Sequence, residues 1–149
     1  MSEVIAYYLG NSYAETNTNR RHIMTSAELD RGGSRHAPSP LELYITALTT
    51  SVMHDAAAFC EAHKLPTNEM EVVMHYEMET YPPCLRYLNA EIRLPFANCA
   101  SVEDELKRAA ILSVNHLIHP EVDGLWVDVY DQRHHREIIK APPKALASV

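Results

Sequence analysis

A long, largely apolar run from Leu41 to Lys64 predicts a helix. It starts well: Pro40 suits a first helical turn, where its missing N–H would be unsatisfied anyway, and Ser39 is an N-cap residue type. From Met70 the period of the pattern changes to two. Met70, Val72, Met74, Tyr76 and Met78 fall on one face and Glu71, Val73, His75, Glu77 and Glu79 on the other, which predicts a strand. After Pro82 and Pro83 the alternation resumes, with Leu88, Ala90, Ile92 and Leu94 set against Tyr87, Asn89, Glu91 and Arg93. The two runs predict an antiparallel hairpin over 70–95 with one wet face. Ser101 to Asp104 resembles a capping box, and Leu106, Ala109, Ala110, Ser113, Val114 and Leu117 then keep helical spacing, predicting a second helix over 102–118. Leu125, Val127 and Val129 alternate with Trp126, Asp128 and Tyr130, giving a last strand over 125–131.

The first 30 residues mix β-formers with turn formers and predict two or three short strands, broken at Gly10-Asn11 and at Asn17-Thr18-Asn19. Arg31 to Pro40 is a loop, because Gly32 and Gly33 loosen the backbone while Pro38 and Pro40 prevent regular pairing. Residues 134–149 form a polar, Pro-containing tail. With no repeat and no linker, the 149 residues are expected to form one α+β domain.

Composition then narrows the function. A content of 46% hydrophobic and 22% charged residues is that of a globular chain. The net charge of −7 would repel a phosphate backbone, so nucleic acid is an unsuitable partner. The longest uncharged stretch of the first helix, Leu43 to Met53, falls well short of the roughly 20 residues needed to cross a bilayer. No membrane span is expected. The N-terminal residues lack the basic and apolar regions of a secretory signal, and the expected location is the cytoplasm. Three cysteines, Cys60, Cys84 and Cys99, are odd in number and lack metal-binding spacing, so free thiols are expected.

Thr46, Thr49, Thr50 and Ser51 place four hydroxyls in the middle of the first helix, where such residues have below-average propensity. Two readings stand side by side. Small side chains allow another helix to approach closely, with the hydroxyls bonded to carbonyls four residues back; alternatively, they leave room for a small polar pocket. Ser51 and His54 lie three residues apart on this helix, but His54 and Asp55 point apart and no nucleophile elbow surrounds the serine, which weakens a hydrolase reading. His116 and His119 would supply two metal ligands where zinc needs three from the protein, and His134-His135 falls in the tail, so no metal or other cofactor is expected. The acidic residues Glu71, Glu77 and Glu79 are expected to form a solvated strand face.

The segment GGSRHAPSPLELYITALTTS resembles the corresponding segment of the OsmC/Ohr superfamily, in which a Gly-rich, Pro-containing loop leads into a central helix bearing a peroxidatic cysteine. The resemblance extends over roughly residues 4 to 132 and is sharpest at PSPLEL and the small-residue run after it. It implies antiparallel sheets packed around a long buried central helix in an intertwined homodimer, with a pocket that draws on both chains. It also exposes two departures. The first catalytic cysteine of the family falls at Ser51, and the second, which opens a Cys-Pro-Val-like stretch, falls at Leu112, ahead of Ser113 to His116. In the family the first thiolate attacks the O–O bond of an organic hydroperoxide and the second resolves the sulfenic acid as a disulfide. A serine hydroxyl stays protonated near neutral pH and is not redox-active, and leucine resolves nothing. Arg20, Arg21 and Glu42 match the family's activating arginine and glutamate only approximately, so no catalytic role is carried to them. Cys60 lies nine residues beyond Ser51, about two and a half turns along the helix, and reads as a small buried hydrophobe.

The expectation is therefore a homodimer that kept the fold and lost the redox pair, binding a small, partly apolar ligand near Glu42, Thr50, Ser51, His54, Leu112 and His116. The alternative is a peroxide reductase using a relocated thiol, Cys84 or Cys99.

Overall fold

The structure, a computed structural model, describes residues 4–18, 21–80, 83–95, 101–112 and 125–131. The chain divides into two compact units, Met1–Ala47 and Leu48–Val149.

In the first unit, β1 (Val4–Gly10), β2 (Tyr13–Thr18) and β3 (Arg21–Ser26) form an antiparallel meander in the order β1-β2-β3. The expected break at Gly10-Asn11 is the β1–β2 turn. Gly10, Asn11 and Ser12 all take positive φ there, of 88°, 51° and 67°, and the register shifts between Tyr8 and Gly10. Such a backbone suits Gly and Asn and is costly for most other residues. After β3 a short 3-10 turn over Leu29–Arg31, which the sequence pattern did not suggest, ends on Gly32 at φ 81°. The loop is stitched to its surroundings. The Ser26 N–H donates to the Pro38 carbonyl at 3.0 Å, the Ser34 N–H to the Ser26 hydroxyl at 2.7 Å, and the Ala27 N–H to the Ser12 carbonyl at 2.9 Å.

The expected central helix is α1 (Pro40–Ala62), which begins in the first unit and runs on into the second. Its far end closes in a Schellman motif: Lys64 is left-handed at φ 56°, its N–H donates to the Glu61 carbonyl, and the Leu65 N–H donates to the Cys60 carbonyl at 2.8 Å. Pro66 then prevents continuation. The stripe Leu48, Val52, Ala56 and Cys60, at i, i+4 spacing, is fully buried. Each of the larger side chains there contributes roughly 1.5–3 kcal/mol relative to exposure.

The second unit adds β4 (Glu71–Thr80) and β5 (Pro83–Leu94), the expected antiparallel hairpin, then α2 (Glu103–Leu112) and β6 (Leu125–Asp131). β6 joins β5 in parallel, which makes this sheet mixed, in the order β4-β5-β6. A parallel neighbour requires a long crossover, and the segment from Pro95 to Gly124 that contains α2 supplies it. The alternation read in β5 and β6 holds: Leu88, Ala90, Ile92 and Leu94 are fully buried, and Val127 and Val129 nearly so. On β4 the same face is only half-buried at Val72 and Met74 and opens to solvent at Tyr76 and Met78. On α2, Leu106 and Ala110 are buried as expected. Residues 113–118 of the expected 102–118 helix and the tail 134–149 lie outside the described residues. Among the described residues, no helix is long and apolar enough to cross a membrane.

Candidate functional site

The candidate site is built on α1, and its first turn is set by a reciprocal cap. The Glu42 N–H donates to the Ser39 hydroxyl at 3.2 Å, and the Ser39 N–H donates to the Glu42 carboxylate at 2.7 Å. This is a capping box, and its negative charge lies at the positive end of the helix. Glu42 thus has a structural task at the helix start. The signal for it, Ser-x-x-Glu from Ser39 to Glu42, was present in the sequence.

Farther along, the hydroxyl run takes shape. The Thr46 hydroxyl donates to the Glu42 carbonyl at 2.7 Å, the back-bonding to the preceding turn that makes a mid-helix threonine tolerable. Ser51 is half-buried, beside the buried stripe. Thr50 and His54, one turn apart, lie on the exposed face with Ala58 after them. This face carries only small or polar groups, so an approaching molecule would meet methyls, hydroxyls, one imidazole and nearby backbone.

Of the other candidates, Leu112 is the last residue of α2, and His116 lies outside the described residues, as do Arg20 and Cys99. Arg21 opens β3 and is exposed. The Cys84 backbone pairs with Glu79 near the hairpin end. Cys60 is fully buried, and burial pushes its thiol above the ordinary value. A thiol held protonated is a poor nucleophile towards peroxide. Among the described residues, no group of three or more His, Cys, Asp or Glu is arranged to hold a metal ion.

Two charged arrangements were not anticipated in their partners. On the outer face of β4 and β5, Arg93 donates to Glu71 at 3.0 Å and to Glu91 at 2.8 Å, while His75 lies 3.4 Å from the other Glu91 oxygen. Arg86 pairs with Glu79 at the distal end. The expected solvated face is thus a cross-strand ladder of paired charges. Burial alone would raise the Glu91 pKa, but the hydrogen bonds and charges of Arg93 and His75 outweigh it and hold the carboxyl below its ordinary value. On α2, Glu103 and Lys107 form an ion pair at 2.7 Å with side chains only 8% and 6% exposed. They share the buried face with Leu106 and Ala110, where a helical pattern would call for apolar residues.

No family model and no curated protein matches the chain. Solved structures do. An osmotic stress induced and detoxification response protein from Psychrobacter arcticus superposes with a TM-score of 0.74 at 17% identity, covering 88% of this chain and 96% of that one. An OsmC-like protein from Mycoplasma pneumoniae gives a TM-score of 0.69 at 16% identity, over 88% and 95%. An organic hydroperoxide resistance protein from Elizabethkingia anophelis gives 0.62 at 12%, over 88% and 93%. The chain has the α+β fold of the OsmC and organic hydroperoxide resistance proteins.

Proposed function

Starting from the OsmC-like fold, we propose that this chain acts in the stress and hydroperoxide sphere of its structural neighbours through a role that uses no thiol pair: a cytoplasmic homodimer that binds a small, partly apolar molecule beside α1. The observation that carries the reading is the occupant of mid-α1. Where the resemblance matches a peroxidatic cysteine, the chain has a half-buried Ser51, and Cys60 on the same helix is buried and held protonated. Neither can attack an O–O bond near neutral pH. Leu112, at the matched position of the resolving thiol, has no redox chemistry at all.

Self-association is supported by the apolar surface of the first unit. On the β1–β3 sheet, Tyr7 and Met24 on one face and Val4 and Tyr8 on the other, with Leu9 at the irregularity beside them, are each more than half exposed in the single chain. A soluble protein rarely leaves so many large apolar groups together in water. The odd set of three cysteines without paired spacing fits a reducing compartment.

The test is peroxide turnover. Purified protein is mixed with cumene hydroperoxide and dithiothreitol, and loss of the hydroperoxide is followed against a protein-free control. The expected result is the control rate. Turnover that disappears in Cys84→Ser or Cys99→Ser would overturn the proposal and establish a relocated thiol. In parallel, a Ser51→Cys variant is expected to consume one additional equivalent of hydroperoxide without added reductant. The new thiolate attacks the O–O bond, the alcohol leaves with a proton, and the sulfur ends as sulfenic acid. A Ser51→Cys thiol inert to peroxide would show that mid-α1 is not the matched position.

A further inference from the structure

We draw no further inference here: the strongest candidate, the exposed apolar surface of the β1–β3 sheet around Tyr7, Tyr8, Leu9 and Met24, belongs to the self-association already proposed, and nothing in the structure shows what else covers it.

Discussion

Replacing Gly33 by alanine is the smallest change expected to do large damage to the first unit. A Cβ on Gly33 would sit 1.6 Å from the Ala27 carbonyl oxygen, 2.4 Å from the Ala27 carbonyl carbon and 2.8 Å from the Glu28 carbonyl oxygen. All three are backbone atoms, so no side chain can rotate away. Relief requires the two passing segments to separate by more than an ångström. That movement strains the Gly33 N–H bond to the Glu28 carbonyl, 3.0 Å, and the Ser34 N–H bond to the nearly buried Ser26 hydroxyl, 2.7 Å. Each lost bond costs about 1 kcal/mol, and more where a buried partner is left unsatisfied. Overpacking strain adds to that, for a total of roughly 3 kcal/mol. Gly10→Ala is the control, because nothing lies within 4 Å of its added methyl and only its φ of 88° resists substitution. That control should cost about 1 kcal/mol. Urea unfolding followed by far-ultraviolet circular dichroism compares the two variants. If Gly33→Ala lowers stability no more than Gly10→Ala does, the close approach of residues 27 and 33 is wrong.

Four further outcomes are expected. Because the folded Glu91 carboxyl titrates below its unfolded value, its stabilising contribution is present above the unfolded pKa and is lost as pH falls through the folded one; the stability gap between wild type and Glu91→Gln should be about 0.5–1 kcal/mol at pH 7 and close on acidification, and a gap that widens on acidification would contradict the pairing. Ser39→Ala should cost about 1 kcal/mol by removing the α1 cap, with Glu42→Gln costing less because an amide oxygen still accepts from the Ser39 N–H; calorimetric melting ranks the two. Lys107→Met should cost roughly 3–5 kcal/mol by stranding Glu103, and adding Glu103→Leu should recover part of that loss, which a double-mutant cycle measures directly. If the proposed dimer uses the sheet face carrying Tyr7 and Met24, Tyr7→Glu combined with Met24→Glu should shift it towards monomer in sedimentation velocity, since a charge at a buried apolar contact is strongly unfavourable; an unchanged sedimentation coefficient would remove this face from the interface.

Much of the fold was legible in the sequence because burial and period agree in its middle. In β5 every second residue from Leu88 to Leu94 is apolar and fully buried, so periodicity and structure say the same thing. The extent of α1 was legible from its apolar run, its Ser39-Pro40 start and the Pro66 that follows its end. What escaped is what period does not encode. The parallel pairing of β6 depends on where a long crossover returns the chain, and no local pattern states that. The Schellman end of α1 uses Lys64 in a conformation usually given to glycine, so its signal was missing. Glu103 and Lys107 carry no signal of burial in the sequence, since each residue type usually lies at the surface, and only their mutual contact makes burial tolerable.

The same distinction explains the candidate site. A helix with Thr46, Thr49, Thr50 and Ser51 at its centre draws little stability from propensity, and what holds α1 lies elsewhere: the Ser39–Glu42 box at one end, the Lys64 turn at the other, and the buried stripe between them. Along the helix between those devices, Thr50, His54 and Ala58 are exposed in the single chain. Thr46 shows how a hydroxyl can be accommodated there, by donating to its own helix at Glu42. A hydroxyl used in that way offers a neighbour its methyl and its oxygen lone pairs but no proton. A molecule approaching such a hydroxyl would be selected by shape and apolar contact more than by hydrogen-bond donation, while the exposed His54 ring still offers an N–H nearby. Such selection is what the proposed small, partly apolar ligand would require.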